Sequence, residues 1–336
     1  MKTKIAINGF GRIGRNAFKV AAERSDMEVV AINDLTDTQT LAHLLKYDSN
    51  FGTYPHTVTA EDNALYVDDR TVSVLAEKDP AALPWQDLGV DIVIESTGRF
   101  TKADEAAGHL QAGARKVVIS APGKGDGVDT IVLGVNDADI ASSSDVVSNA
   151  SCTTNCITPV AAVMVREFGV EKAMMTTVHS YTADQNLQDG PHKDLRRARA
   201  AAENIVPTTT GATLAAAETL PELKGAFEGL SIRVPTPVVS ISDFTFVLRQ
   251  DVSVEEVNQK LIDASQESAF QGIMEVTDEP LVSRDLIGNT HSAIVDTTLT
   301  QVCAGNLVKV VAWYDNEWGY SNRLVELVAR LSQEAV

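Results

Sequence analysis

The sequence predicts an α/β protein in which a doubly wound parallel sheet is followed by an α+β domain with a mainly antiparallel or mixed sheet. Three observations support this prediction. The first half alternates short apolar strands with amphipathic helices, as parallel sheets do. The second half contains longer strand-like segments and few helices. At 336 residues the chain is also longer than one hydrophobic core usually supports, which favours two domains.

The first half begins with a strand, KIAI, a helix, RIGRNAFKVAAERS, a second strand, MEVVAIND, and a second helix, TQTLAHLLKY. Hairpin-like segments follow within HTVTAEDNALYVDDRTVSVLA, where Asp and Asn residues mark the turns. The alternation then resumes through DIVIESTG, ADEAAGHLQAGA, KVVISAP and TIVLGVN. We assign residues 1–151 to this first domain.

The pattern changes after Cys152. One helix leads to the strand KAMMTTVHSYT, and residues 183–209 then form a long stretch with weak strand character. Loops of that length inside compact domains usually have a function. Two strand-rich segments, LSIRVPTPVVSISDFTFVLRQ and NLVKVVAWYD, flank the helix SVEEVNQKLIDASQ. We assign residues 152–316 to a second domain and expect the amphipathic segment 317–336 to complete the first.

Composition excludes several classes of function. A net charge of −18 argues against nonspecific binding to nucleic acid or anionic membranes. No apolar run reaches the roughly 18–20 residues of a membrane span, and the first residues lack the apolar core of a signal peptide. Three cysteines form no disulfide framework. We therefore expect a cytoplasmic protein without disulfides.

One basic cluster, HKDLRRARA, stands out against this acidic background. Its cations are Lys193, Arg196, Arg197 and Arg199. The cluster is either a solvated helix face or a site for an anionic ligand, and the stretch alone does not decide between them.

The segment INGFGRIGR predicts a dinucleotide site. Its Gly9, Gly11 and Gly14 follow a strand, open a helix and precede a second strand that ends at Asp34. In this Rossmann-type arrangement the glycines allow a tight turn, a close approach to pyrophosphate and close packing of helix on strand. The helix N-terminus receives the phosphates. The Asp34 carboxylate accepts hydrogen bonds from the ribose hydroxyls and would repel a 2′-phosphate, so NAD is favoured over NADP.

The segment SNASCTTNC places Cys152 among good helix-capping residues, where a helix N-terminus would favour the thiolate. Pro159 argues against this early start, because proline inside a helix costs about 3 kcal/mol or bends the helix. A start at residues 158–159 is the alternative. Cys156 and Cys303 are interpreted as buried packing residues, and no nearby histidine supports a zinc site.

Six histidines are candidates for the base that would activate Cys152. His179 ends an apolar strand at the edge of the second domain, whereas His43 and His109 lie within helical patterns. The others, His56, His192 and His291, lie in strand-start or loop contexts. Pattern favours the pair of Cys152 and His179 without excluding the rest.

Six segments in order resemble the phosphorylating glyceraldehyde-3-phosphate dehydrogenase family: INGFGRIGR, SNASCTTNC, HSYTADQ, PTTTGA, RVPTP and WYDNEWGYSNR. The resemblance covers essentially the whole chain. It implies that Cys152 attacks the aldehyde of glyceraldehyde 3-phosphate and that His179 keeps the thiol ionised and then removes the hydroxyl proton during hydride transfer to NAD. Inorganic phosphate would then cleave the thioester to give 1,3-bisphosphoglycerate.

The resemblance also implies residue roles. Substrate and phosphate would be bound by Ser151, Thr153, Thr182, Arg197, Thr210, Gly211 and Arg233. Besides Gly9, Gly11 and Asp34, the coenzyme would be contacted by Arg12, Ile13, Lys78, Ser120, Asn316 and Tyr320. In the family the residue that corresponds to Asn316 fixes the nicotinamide amide, and Tyr320 would pack beside that ring. Residues 183–209 resemble the family's S-shaped loop, which packs against a neighbouring subunit, so a homotetramer is implied.

Two other functions remain open at this point. Erythrose-4-phosphate dehydrogenase shares the cysteine, histidine and coenzyme but releases its acid to water. The second alternative is a dinucleotide-binding interaction protein with an inert cysteine. The joint presence of Cys152, His179 and the residues that the resemblance assigns to the binding of two phosphate groups argues against it.

Overall fold

The computed structural model describes residues 2–334, and the chain divides into two compact units. Within the described residues, the first unit comprises 2–131, 138–150 and 321–334, and the second comprises 132–137 and 151–320. Two residues of the segment 317–336, at positions 335 and 336, lie outside the described residues. No helix within residues 2–334 has the length and apolar character that crossing a membrane requires.

The first unit is built on a twisted sheet flanked by helices. Its strands are β1 Thr3–Asn8, β2 Met27–Asn33, β3 Tyr47–Asp48, β4 Gly52–Thr53, β5 Val58–Glu61, β6 Ala64–Val67, β7 Arg70–Leu75, β8 Ile92–Glu95, β9 Lys116–Ile119, β10 Asp129–Thr130 and β11 Val146–Ser148. Its helices are α1 Arg12–Ala22, α2 Thr38–Lys46, α3 Trp85–Leu88 and α4 Ala103–Gln111. Two short 3₁₀ turns are Pro80–Ala82 and Asp137–Ser142, the first residue of the latter belonging to the second unit.

Nine strands form this sheet in the order β10-β11-β9-β8-β1-β2-β7-β6-β5. Neighbours from β10 to β7 are parallel, and only the β5–β6–β7 meander is antiparallel. From β1 the sheet extends in both directions, with β2 on one side and β8 on the other, as the doubly wound prediction requires. The carboxyl ends of β1, β2 and β8 therefore lie side by side, which brings the glycine turn after β1 next to the end of β2.

The second unit packs helices on a mixed sheet. Its elements are α5 Cys152–Phe168, β12 Val170–Ser180, β13 Val206–Thr209, α6 Ala212–Thr219, β14 Phe227–Val234, β15 Ser240–Leu248, α7 Val254–Ser265, β16 Met274–Thr277, β17 Ala293–Asp296, β18 Gln301–Cys303 and β19 Leu307–Tyr314. Short 3₁₀ turns are Pro221–Leu223, Ser283–Leu286 and Thr297–Leu299. The last helix, α8 Trp318–Glu334, begins here and continues into the first unit.

The second sheet runs in the order β13-β14-β12-β15-β19-β17-β16, with β18 on β19. Its pairs are antiparallel except β12–β14 and β16–β17, so the prediction of a mainly antiparallel or mixed sheet is confirmed. The buried side of α5 packs on this sheet around Val160, Met164, Phe244 and Phe246. At roughly 25 cal/mol per Å² of apolar surface removed from water, this core stabilises the platform that carries the site.

Three expectations are wrong in detail. Of TIVLGVN only Thr130 lies in a strand, β10, because the backbone N–H of Val132 bonds to the Asn136 side chain (2.8 Å) and not to a neighbouring strand. The end of the stretch 183–209 is the strand β13, which pairs with β14. Cys303 is exposed, because it ends the short strand β18 beside the turn that leads into β19.

Candidate active site

Cys152 is the first residue of α5, as the earlier of the two helix starts requires. The Ser151 hydroxyl caps the helix by accepting the Thr154 N–H at 3.0 Å. Pro159 lies inside the helix and removes one backbone donor. The Thr158 hydroxyl donates to the Thr154 carbonyl at 2.7 Å, and the buried apolar side of the helix keeps it continuous. The local cost of proline is thus outweighed by tertiary packing.

His179 faces Cys152 from the end of β12. The distance from Cys152 Sγ to His179 Nε2 is 3.4 Å. Nδ1 lies 2.7 Å from the Ser180 carbonyl, which can only accept, so Nδ1 carries the ring proton. The lone pair on Nε2 is therefore directed at the thiol. This geometry suits proton transfer from sulfur to imidazole.

Burial opposes charge on both members of this pair. It raises the pKa of the Cys152 thiol, while the Arg233 guanidinium and hydrogen bonds at the helix start act in the opposite direction. Burial, assisted by Arg233, lowers the pKa of His179 to about 3. Burial thus acts against charge on the thiol and on the imidazole alike, whereas Arg233 favours the thiolate. The acceptor role of His179 therefore rests on geometry, because the Nε2 lone pair lies 3.4 Å from Sγ.

A buried hydroxyl chain lies behind the pair, and the sequence pattern did not reveal it. Tyr314 Oη is 2.9 Å from Thr153 Oγ1 and 2.8 Å from Thr177 Oγ1. The tyrosine ring also meets the His179 ring edge to face, with centroids 5.9 Å apart. The alternation of apolar and polar residues along the strand identifies Tyr314 only as a core residue. The Thr153 hydroxyl points into this chain, so the group it offers to a ligand is its backbone N–H.

Arg233 lies beside the pair and carries positive charge without a carboxylate partner in the described chain. It stands opposite His179 in the β12–β14 register. Its Nη1 donates to the Thr182 hydroxyl at 3.0 Å and to the Ser180 carbonyl at 3.3 Å. Its buried Nε has no protein partner within residues 2–334. Unsatisfied guanidinium donors next to Thr182 are what an oxyanion ligand requires.

Arg197 is the arginine of the basic cluster that packs beside the predicted phosphate residues. Its Nε donates to Thr208 Oγ1 at 3.0 Å and its Nη2 to the Thr209 carbonyl at 3.3 Å. It also pairs with Asp184, and Asp194 lies 3.6 Å from its Nε. The cluster therefore lies in a loop and not on a helix face, and Arg197 is paired with carboxylates there.

The other two arginines of the cluster lie outward. Arg199 pairs with Asp189 at 2.8 Å, and both side chains are well exposed. Arg196 reaches only the Pro207 carbonyl, at 3.4 Å.

Thr210 and Gly211 precede α6, whose first turn offers unpaired backbone N–H groups. Thr210 Oγ1 accepts the Ala212 N–H at 3.2 Å, and Gly211 is the N-cap. A Cβ at Gly211 would meet nothing within 4 Å, so the approach to this helix start is open. Such a helix start favours anions.

The first unit contains a cradle that fits a dinucleotide. Gly9 has φ +91, and a Cβ there would lie 2.7 Å from the Thr97 nitrogen. A Cβ at Gly14 would lie 2.1 Å from the Gly9 carbonyl oxygen, whereas one at Gly11, the N-cap of α1, would meet nothing within 4 Å. Gly9 and Gly14 thus let strand and helix approach, and Gly11 leaves the helix start open. These are the requirements for a bound pyrophosphate.

Asp34 directly follows β2, next to this cradle, and its carboxylate accepts two backbone N–H groups. Its Oδ2 accepts the Phe10 N–H at 2.7 Å, and its Oδ1 accepts the Thr36 N–H at 2.9 Å. Arg12 forms a two-pronged pair with Asp48 at 3.0 and 3.1 Å, so its guanidinium is fixed. The Asp34 carboxylate, predicted to bind ribose, and the glycine turn are therefore one hydrogen-bonded unit.

The remaining residues that the resemblance assigns to the coenzyme lie in separate places. Ile13 follows Arg12 in the first turn of α1, and Ser120 directly follows β9 at the carboxyl edge of the sheet. Lys78 is exposed beyond β7. Asn316 and Tyr320 are buried in the second unit, where Asn316 Oδ1 accepts a hydrogen bond from Ser240 Oγ at 3.1 Å.

Comparison with known proteins gives a consistent result. A family described as "Glyceraldehyde 3-phosphate dehydrogenase, NAD binding domain" matches residues 3–103, and one described as "Glyceraldehyde 3-phosphate dehydrogenase, C-terminal domain" matches residues 151–316. The chain is 55% identical over 337 residues to a glyceraldehyde-3-phosphate dehydrogenase of Geobacillus stearothermophilus, with all of both chains covered. It is 54% identical over 337 residues to glyceraldehyde-3-phosphate dehydrogenase 1 of Bacillus subtilis, again with full coverage.

Proposed function

The chain belongs to the glyceraldehyde-3-phosphate dehydrogenase family, and we propose that it is the NAD-dependent enzyme of glycolysis that oxidises and phosphorylates D-glyceraldehyde 3-phosphate. The observation that carries the proposal is the pair of Cys152 and His179, with the imidazole lone pair 3.4 Å from sulfur. The first unit would bind NAD through Gly9, Gly11 and Asp34. Bound NAD would accept the hydride.

Cys152 is the nucleophile in this proposal. His179 takes the thiol proton through Nε2 as sulfur attacks the aldehyde carbon, and it passes this proton to the aldehyde oxygen, which completes the thiohemiacetal and leaves the imidazole neutral again. Burial acts against a standing thiolate, so in this proposal the transfer of the proton accompanies the attack of sulfur. The histidine then receives the hydroxyl proton as the hydride leaves, and a thioester remains on Cys152. The thioester retains the acyl reactivity that inorganic phosphate needs to form 1,3-bisphosphoglycerate.

Two anion-binding sets would hold the phosphate groups. Arg233 and Thr182 form one set, and their hydrogen bond of 3.0 Å orients the guanidinium fork beside Cys152. Arg197, Thr210 and Gly211 lie around the start of α6 and form the other, together with the N–H groups at the start of α5. Ser151 acts there as the cap that fixes the helix start. A phosphate dianion matches such charged forks and helix starts.

Oligomeric state and location are parts of the same proposal. The stretch 183–209, rich in paired charges, would pack against a neighbouring copy within a homotetramer, as the resemblance implies. We infer a cytoplasmic enzyme with glyceraldehyde 3-phosphate and inorganic phosphate as its small-molecule partners. Size-exclusion chromatography with light scattering tests the tetramer directly.

The decisive experiment varies phosphate. We expect NADH formation from glyceraldehyde 3-phosphate to saturate with inorganic phosphate, and arsenate to replace phosphate. Erythrose 4-phosphate should be poorer by at least about 10²-fold, because a chain longer by one bond misplaces its aldehyde or its phosphate. Full turnover in phosphate-free buffer would reject phosphorolysis and favour the hydrolytic alternative.

A further inference from the structure

A serine lies between the proposed base and the proposed nicotinamide-binding residue. Ser240 begins β15 and is 2% exposed. Its hydroxyl oxygen accepts the backbone N–H of Ser180 at 3.1 Å and lies 3.1 Å from Asn316 Oδ1. Since a backbone N–H can only donate, the single hydroxyl proton of Ser240 is left for Asn316 Oδ1. The hydrogen bond from Ser240 to Asn316 therefore has one direction.

This direction fixes the Asn316 amide. A side-chain amide has an acceptor end and a donor end, and only their partners determine which end faces a ligand. Because Ser240 occupies Oδ1, the Nδ2 end faces away from Ser240. Asn316 is 5% exposed, and its Nδ2 has no hydrogen-bond partner among the described residues. The side chain therefore presents a donor and not an acceptor.

The backbone before Ser240 is held in a costly conformation. Val239 has φ 70 and is buried, although β-branched residues rarely adopt this left-handed region. Strain of this kind persists only where neighbours enforce it. Here the Ser180 hydroxyl donates to the Val239 carbonyl at 2.7 Å, and the Ser180 N–H bonds to Ser240. Two hydrogen bonds from the residue after His179 thus fix the position of Ser240.

We infer that Ser240 is a positioning residue for the coenzyme: it holds the Asn316 amide so that Nδ2 donates to the carboxamide oxygen of nicotinamide. The inference rests on the proposed function and on the binding of that carboxamide that the resemblance implies for Asn316. A carboxamide held in one orientation presents one face of the ring for hydride transfer. Ser240 therefore contributes to the affinity for the nicotinamide half of NAD and to the stereospecificity of transfer.

Calorimetric titration of Ser240→Ala with NAD and with ADP-ribose, which lacks nicotinamide, tests this role. We expect the dissociation constant of NAD to rise about three- to tenfold, the usual worth of one neutral hydrogen bond, and that of ADP-ribose to stay unchanged. Deuterium transfer from stereospecifically labelled NADH should lose selectivity. Ser242→Ala is the matched control, because Ser242 is a fully buried serine two residues along β15 on the same face. It should bind both ligands normally.

Two further variants test whether the Ser240 hydroxyl acts through Asn316. Ser240→Thr retains the hydroxyl and should keep NAD affinity near the wild-type value. In an Asn316→Ala background, Ser240→Ala should add no further loss, because Ser240 acts through Asn316. Equal weakening of NAD and ADP-ribose, or unchanged NAD binding, in Ser240→Ala would overturn the inference. If Asn316→Ala itself binds NAD normally, the proposed role of Asn316 is wrong and the inference falls with it.

Discussion

Two fully buried histidines differ in which ring nitrogen keeps its lone pair. In the second unit, His179 donates from Nδ1 to a carbonyl, and Nε2 faces the Cys152 thiol. In the first unit, Trp85 Nε1 lies 3.0 Å from His109 Nδ1. The indole N–H can only donate, so Nδ1 of His109 accepts and Nε2 carries the proton. That proton points to Glu95 Oε2, at 3.1 Å.

The two surroundings differ as much as the two tautomers. Glu95 also accepts from the Asn8 amide, at 2.5 Å, and from the N–H and hydroxyl of Thr97. Its carboxylate is saturated with donors, which is how a buried charge is stabilised. His179 instead has a weak, long hydrogen bond to a reactive group. A satisfied histidine supports the fold, whereas a histidine with a lone pair directed at a nucleophile supports chemistry.

The largest expected effect is at the nucleophile. Cys152→Ser should abolish turnover, because an alkoxide is far harder to form at neutral pH than a thiolate. NAD binding should remain nearly intact, since the coenzyme cradle lies in residues of the first unit. Steady-state assay and calorimetric titration measure the two properties separately. Residual turnover near the wild-type rate would remove the thiol from the mechanism.

His179→Asn should lower the rate by roughly 10²–10⁴, the usual worth of a positioned acid–base group. The asparagine amide can still donate to the Ser180 carbonyl but offers no basic nitrogen to sulfur. Single-turnover kinetics of NADH formation is the measurement. A rate within a small factor of wild type would show that another group accepts the proton.

Substitution of His109 by asparagine should lower the free energy of unfolding. His109→Asn removes one donor from Glu95 and leaves a small cavity beside Trp85, which together cost about 2–4 kcal/mol. Turnover per folded molecule should stay close to that of wild type. Urea unfolding at fixed protein concentration measures the free energy of unfolding. A large loss of turnover with unchanged stability would contradict the structural role of His109.

Lowering the pH should destabilise the wild type more than His179→Asn. The unfolded chain protonates this histidine below its ordinary pKa of 6.5, whereas burial keeps the native pKa at about 3. The unfolded state therefore binds more protons between these values, and stability falls as pH falls. Between pH 7 and pH 5 wild type should lose about 2 kcal/mol more than His179→Asn. Urea midpoints at both pH values test this, and equal losses would show that the imidazole is not held neutral.

Sequence patterns predicted the parts of the molecule whose physics is local. The glycine turn and Asp34 lie on one strand–turn–helix unit and the strand after it, so spacing alone predicts them. The choice of His179 over His109 required the register of β12, because both residues lie in apolar surroundings. Ser240 and Tyr314 are brought to the site by the pairing of β15 with β19, so the spacing of residues along the sequence does not identify them. The exposure of Cys303 likewise depends on where β18 ends.

Arg197 enters the site already neutralised by Asp184 and Asp194. A phosphate that binds there exchanges with internal carboxylates and does not meet a bare cation. The net gain from binding is therefore smaller than the attraction between guanidinium and phosphate, by about the strength of the pairs that are replaced. Such counter-ion exchange limits how tightly a doubly phosphorylated product is held. Weaker binding of the product favours its release. Tight binding that is equal for substrate, transition state and product would not speed the reaction.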